Sequence, residues 1–405
     1  MLQFPIYLDH NATTPCDPGV VEAMLPYFTK HFGNAASRHH SFGWHAEEAV
    51  DRAREQVAQL IGAEPKEIVF TSGATEAVNL AIKGVAEMYA SKGNHIITCT
   101  IEHKAVLDTC RYLEQCGTEV TYLQVNKNGF IDLDKLEKAI KPSTILIAVM
   151  YANNEIGTIM PVKEIGAIAK KSGVLFFSDA TQAVGKIPVD VINDGIDIMA
   201  MSSHKLYGPK GVGALYVRRK NPRVRLAAQL HGGGHEKGMR SGTLNVSGIV
   251  GFGKACELCF QLMNGDAVRL SRLRNKLENA LLQIEETTLN GDREHRLPHV
   301  TNIAFHYIES EGLLMALNKE IALSSGSACT SATLEPSYVL KALGLSDETA
   351  HSSLRFSLGR STTDEEIDYV VEKVTKAVKD LRLLSPLWDM YQEGNDVGAG
   401  IVNND

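Results

Sequence analysis

Between residues 67 and 218, seven short apolar or β-branched runs alternate with stretches of helical character. The runs are EIVFTS, HIITCT, EVTYLQV, ILIAVMYA, VLFFSDA, DIMAMSS and GALYVRR. Several are apolar at nearly every position, as strands covered on both faces are. The stretches between them are amphipathic, and VKEIGAIAKKSG ends on a glycine suited to a C-cap. This alternation predicts an α/β chain with a mainly parallel, doubly wound sheet.

Ahead of that region, GWHAEEAVDRAREQVAQLIGA sets Ala46, Ala49, Val50, Ala53, Val57, Leu60 and Ile61 on one helical stripe. After about residue 262 the order changes. A long charged helix, DAVRLSRLRNKLENALLQIEE, precedes strand-like HVTNIAFHYI, IALSSG and SSLRFSLG. A last helix opens at Thr362, whose spacing to Glu365 fits a capping box. These features predict a large domain over 16–261 and a smaller α+β domain over 262–390. Residues 1–15 are expected to join the small domain, and 391–405 to form a flexible tail.

The formal net charge of −7 argues against general affinity for nucleic acid or anionic membrane. The one basic run, RRKNPRVR at 218–225, reads as a solvated connection after a strand. No stretch is expected to approach the length of a membrane span, and MLQFPIYLDHNATTP lacks the basic start and apolar middle of a signal peptide. Seven cysteines, an odd number in a chain of 405, do not make a disulfide framework. A reducing, cytoplasmic compartment is expected.

Ligands of open α/β sheets bind outside the carboxyl ends of the strands, and four motifs end strands there. In TSGATEAVNLAIKG (71–84) a strand enters a Gly/Ser/Thr turn and a helix. Its backbone amides, helix dipole and Thr75 hydroxyl suit a phosphate, although an ordinary capped turn has the same pattern. In VLFFSDATQAVG (174–185) Asp179 closes an apolar strand and needs a partner. A cationic heteroaromatic nitrogen would serve, and so would a helix N-cap or a buried ion pair.

In MSSHKLYGPKG (201–211) Lys205 sits at a strand end, placed either for a Schiff base with an aldehyde cofactor or as a plain exposed lysine. In IEHKAV (101–106) His103 is placed to stack on a flat ring and move protons, or to serve structure alone. Taken together, in chain order on one sheet edge, the four describe a pyridoxal 5′-phosphate site.

With YLDHNATTP, ANNEIG, HGGGHEKGMRSGT, SSGSACTS and RFSLGR added to these motifs, the chain resembles the pyridoxal-phosphate-dependent cysteine desulfurases. These belong to the fold-type-I, class-V aminotransferase superfamily. The likeness runs from about residue 5 to SPLWDMY at 385–391, and the short SSGSACTS form resembles the housekeeping, IscS-type branch.

The resemblance implies Lys205 as the Schiff-base lysine, Asp179 as partner of the pyridine nitrogen and His103 as the stacking acid–base group. Gln182 would bond the ring hydroxyl. Ala74, Thr75, Ser202 and His204 would hold the phosphate, and Ser203 is a further implied cofactor-binding position. Asn154 would touch both cofactor and substrate, and Arg355 would fork onto the substrate carboxylate. Thr243 would reach the phosphate from a second subunit, which implies a homodimer. Ser203, His10 and Ala35 depart from the family's commoner glycine, tyrosine or asparagine, and proline.

Cys329, in SSGSACTSA (324–332), stands among small residues that read as an exposed, mobile segment. In the family it implies a persulfide carrier that takes sulfur from L-cysteine, leaving L-alanine, and hands it to acceptor proteins. Iron–sulfur cluster assembly and tRNA thiolation are the implied destinations. Cys329 would also serve as a transient [2Fe-2S] ligand shared with a scaffold protein. The rival readings are a selenocysteine lyase or aminotransferase of the same superfamily, and a non-catalytic assembly scaffold. CELC at 256–259 has the spacing of half a zinc site, but it has no second pair and falls in a helical stretch, so it reads as core. His39, His40 and His45 read as surface histidines.

Overall fold

The computed structural model describes residues 2–325 and 335–394. The expectations for the segment around Cys329 and for the tail beyond 394 lie outside the described residues.

All seven apolar runs form strands of one sheet. Its order is Ile68–Thr71, Gly213–Val217, Ile198–Ser202, Leu175–Asp179, Thr144–Ala148, His95–Cys99 and Glu119–Leu123. Only Gly213–Val217 runs antiparallel to its neighbours. Apolar side chains feed two cores, one on each face: Ile97, Phe176 and Met199 enter one, and Ile96, Phe177 and Ala200 the other. Double-sided burial is why six of these strands lack a polar alternation, the edge strand Glu119–Leu123 being only partly buried.

The stripe predicted upstream is buried throughout on helix Ser41–Leu60. Gly173 caps helix Val162–Ser172 in the left-handed conformation, at φ 66°. His40 caps helix Ser41–Leu60 through its ring, and His39 and His45 are exposed.

One helix is longer than expected. The CELC stretch and the charged stretch after 262 form a single helix, Val246–Leu281, of 36 residues. Gly265 interrupts neither half. The first half buries Ile249, Phe252, Cys256 and Cys259 in a large-sheet core. The second buries Leu270, Leu273, Leu277 and Leu281 in a third core. Between them Phe260 and Val268 are exposed. By length and composition this helix could cross a membrane, contrary to the expectation from the sequence, but 56% of its apolar window is buried inside the protein.

The third core also holds the antiparallel sheet Ser353–Ser357, Val300–Phe305, Thr287–Leu289 and the helix Asp364–Arg382. The N-terminal strand Ile6–Tyr7 pairs with Ile321–Ala322 and sends Ile6 and Leu8 into the same core. The helix Asp364–Arg382 is capped one residue later than predicted. Thr363 and Glu366 form the capping box, while the Thr362 hydroxyl accepts the amide of Gly359.

Candidate active site

The carboxyl ends of the parallel strands open into a cavity of about 640 Å³. At one end lies the turn that follows Ile68–Thr71. Gly73, at φ 156°, adopts a conformation that other residues resist, and helix Ala74–Met88 begins there without a side-chain cap. The first-turn amides of Ala74 and Thr75 have no acceptor within the helix, and the dipole adds positive potential. A Cβ on Gly213 would lie 2.8 Å from the Cα of Gly73, so this close approach to the sheet needs glycine on the neighbouring strand.

Ser202 ends its strand beside this turn, and His204 follows in the short helix Ser203–Lys205. The His204 ring lies 3.1 Å from the Thr13 hydroxyl. Burial, then the charges of Lys205 and Lys210, lower its pKa to about 4. It is therefore neutral near pH 7. This end is built for an anion.

Lys205 reaches the middle of the cavity, where its ammonium donates to the carbonyls of Asn11 (2.5 Å) and Ala12 (2.7 Å). Asp179 ends strand Leu175–Asp179, only 6% exposed. One of its oxygens accepts the Thr181 amide at 3.0 Å. No lysine or arginine of the described residues pairs with it, so the cavity offers a buried carboxylate to an incoming cation. Gln182 donates to the Asn11 carbonyl at 3.0 Å. His103 caps helix Lys104–Gln115, its Nδ1 accepting the Ala105 amide at 3.1 Å. In the neutral ring Nε2 therefore carries the proton.

Arg355, on strand Ser353–Ser357, is 2% exposed. It donates to the Asn154 carbonyl (2.9 Å) and to Asp9 (2.7 Å). Its Nε and the Oδ1 of Asn154 are buried without a partner, as is the Thr181 hydroxyl. Unsatisfied donors and acceptors in one cavity wall cost free energy unless a ligand meets them. Anion cradle, lysine, unpaired carboxylate and orphaned polar atoms together fit pyridoxal phosphate carrying an amino acid.

Ten of the residues singled out from the sequence line this cavity: Ala74, Thr75, His103, Asn154, Asp179, Gln182, Ser202, His204, Lys205 and Arg355. Ser203 does not. It is fully buried behind the site, close against Gly208. Thr243 is exposed and lies outside the lining of this single chain. Cys329 lies outside the described residues. Sequence reasoning missed Asn11, Thr13, Glu155 and Lys210, which also line the cavity. Asn11 and Thr13 stood inside YLDHNATTP, but no local periodicity marks a contact made across the whole fold.

His10 sits behind this wall, 2% exposed. Its Nδ1 lies 3.1 Å from the Ser357 carbonyl, which can only accept. A Cβ on Gly359 would fall 1.9 Å from its Nε2. Burial, then the Lys186 charge, lower its pKa from 6.5 to about 4. A depressed histidine favours folding fully above its unfolded pKa, and that contribution is lost as pH falls from 6.5 toward 4. His10→Asn, which keeps a donor for Ser357, is expected to flatten the fall in thermal unfolding temperature across that window. An unchanged pH–stability slope would contradict this account.

The description of aminotransferase class-V matches residues 6–370. Cysteine desulfurase IscS of Escherichia coli O139:H28 is 59% identical over 400 residues, covering 98% of each chain. The protein of that name from Shigella boydii serotype 18 matches equally. Among solved structures, a NifS-like protein superposes with a TM-score of 0.87 at 37% identity, over 93% of this chain and 100% of that one. A structure described as SspA in complex with cysteine gives 0.77 at 37% identity, over 87% and 98%.

Proposed function

Since the chain belongs to the class-V aminotransferase family, we propose that it is a pyridoxal-phosphate-dependent cysteine desulfurase serving iron–sulfur cluster assembly, with the cavity at the sheet edge as its active site. Full-length likeness to cysteine desulfurase IscS supports the activity. The observation that carries the site is the convergence of Lys205, the unpaired Asp179 and Arg355 on one cavity.

When bound, pyridoxal phosphate supplies an electron sink that weakens the carbon–sulfur bond of cysteine. Lys205 would hold the cofactor at its aldehyde carbon, and Asp179 would supply the counter-charge for its ring nitrogen. Ala74, Thr75, Ser202 and His204 hold the phosphate, and Gln182 the ring hydroxyl. Thr243 of a second copy adds to the phosphate site, which makes the working enzyme a homodimer. Arg355 would orient the substrate carboxylate through its unpartnered Nε–H, and the unpartnered Oδ1 of Asn154 would accept an N–H or O–H of substrate or cofactor. His103 moves protons at Nε2.

The thiolate of Cys329 attacks the substrate sulfur. A sulfur–sulfur bond forms as the carbon–sulfur bond breaks, and the carbon takes up the proton that completes alanine. L-cysteine and one thiol thus give L-alanine and a persulfide with no outside oxidant. Cys329 then passes the sulfur to a scaffold protein, where it also serves as a transient [2Fe-2S] ligand, and to acceptors for tRNA thiolation. The six described cysteines are free thiols, which supports a reducing, cytoplasmic setting.

Incubating the protein with L-cysteine and an added thiol reductant tests the activity by release of alanine and of the sulfide that the reductant frees from the persulfide. Asp179→Ala tests the site. It should leave a folded protein that turns over on the order of 10²-fold more slowly, because the ring nitrogen loses the fixed counter-charge of a buried carboxylate. Undiminished turnover at neutral pH would remove Asp179 from the mechanism.

A further inference from the structure

Asn11 is 1% exposed, and every polar group it has is engaged with a different part of the chain. Its amide donates to the Ser357 hydroxyl at 3.0 Å. Its carbonyl accepts from Gln182 at 3.0 Å and from Lys205 at 2.5 Å. The side-chain Nδ2 donates to the Asn154 carbonyl at 2.9 Å, the same oxygen that accepts from Arg355 at 2.9 Å. Its Oδ1 lies 2.8 Å from Nε2 of His299. With Nδ2 committed as donor, Oδ1 accepts, so His299 carries its proton on Nε2.

The two ends of Asn11 therefore meet two walls of the cavity. The main chain holds Lys205 and Gln182, and the side chain holds the peptide of Asn154 on which Arg355 also rests. We propose that Asn11 is a positioning residue that sets the substrate-carboxylate wall at a fixed distance from the cofactor wall. This rests on the reading of the site given above. Asn11 need not touch the substrate. It acts by keeping Asn154 and Arg355 where a carboxylate bound beside Lys205 can reach both.

The test uses two variants of the pyridoxal-phosphate-loaded protein. Asn11→Ala removes both side-chain bonds. Asn11→Asp is nearly isosteric and keeps the acceptor for His299, but sets an oxygen against the Asn154 carbonyl. Each should raise the KM for L-cysteine and the Kd for L-alanine, read by cofactor absorbance, about tenfold, with kcat changed less than about threefold. In Asn11→Asp both constants should fall back as the pH is lowered and the new carboxyl takes up a proton it can donate.

A purely structural residue would instead lower the thermal midpoint or kcat and leave both constants alone; that result overturns the proposal. Alanine binding is measured whatever the parent turns over. Failure of the functional reading thus shows in the parent, as no alanine released from cysteine, and failure of this inference shows in the variants.

Discussion

Lys205→Ala is expected to remove the visible absorbance of the bound cofactor and to cut alanine release from L-cysteine on the order of 10³-fold or more. Lys104 and Lys210 also line the cavity, but neither holds the strand-end position of Lys205 against the Asn11 and Ala12 carbonyls. His204 is neutral, with its pKa lowered to about 4, and an imidazole makes no stable Schiff base. Lys186 is buried 6% exposed behind the site and does not line the cavity. The fold should survive, because the ammonium of Lys205 meets two main-chain carbonyls at the cavity and contributes nothing to the apolar cores. Far-ultraviolet circular dichroism and thermal unfolding of the cofactor-free protein should match the parent. Retained absorbance together with parent-rate turnover would mean that the site lies elsewhere.

Cys329→Ser is expected to leave cofactor absorbance intact and to reduce alanine release on the order of 10³-fold or more. The argument is one of nucleophilicity. A thiol near its ordinary pKa is partly ionised around neutrality and its anion attacks sulfur readily; a serine hydroxyl is un-ionised there and forms no stable bond to sulfur. In the proposed site the cofactor is held by Lys205, Asp179 and the turn at Gly73, and no step of that binding calls for a thiol nucleophile. The spectrum should still change on adding L-cysteine, since the substrate can bind and yet cannot lose its sulfur. Parent-rate alanine release would exclude Cys329 as the acceptor, and a lost cofactor spectrum would place it in the binding site instead.

The strands were legible because their information is local: a run apolar at nearly every position is satisfied between two covered faces, and all seven apolar or β-branched runs became strands of one sheet, the more polar EVTYLQV at its edge. The placement of the turn at Gly73 and of Lys205 was legible for a related reason, since each follows its strand within a few residues and the sheet carries it to the edge. Local signals also misled. Thr362 and Thr363 both precede an acidic residue at capping distance, and only the packed helix chose the second. The change of character after about residue 262 suggested two helices, yet Val246–Leu281 runs through, because each half finds its own core.

What the tertiary structure alone decided is the wall opposite Lys205. Asn11 reaches Asn154, Gln182, Lys205 and His299 across 143, 171, 194 and 288 residues of chain. No periodicity or spacing encodes contacts that form only when the N-terminal strand docks beside Ile321–Ala322 and brings its polar end over the large sheet. Hydrophobic pattern specifies which face of an element is buried. Which polar groups then meet in the buried space depends on how the elements pack, because an unpaired donor or acceptor there is costly and each must find a partner from wherever the fold supplies one.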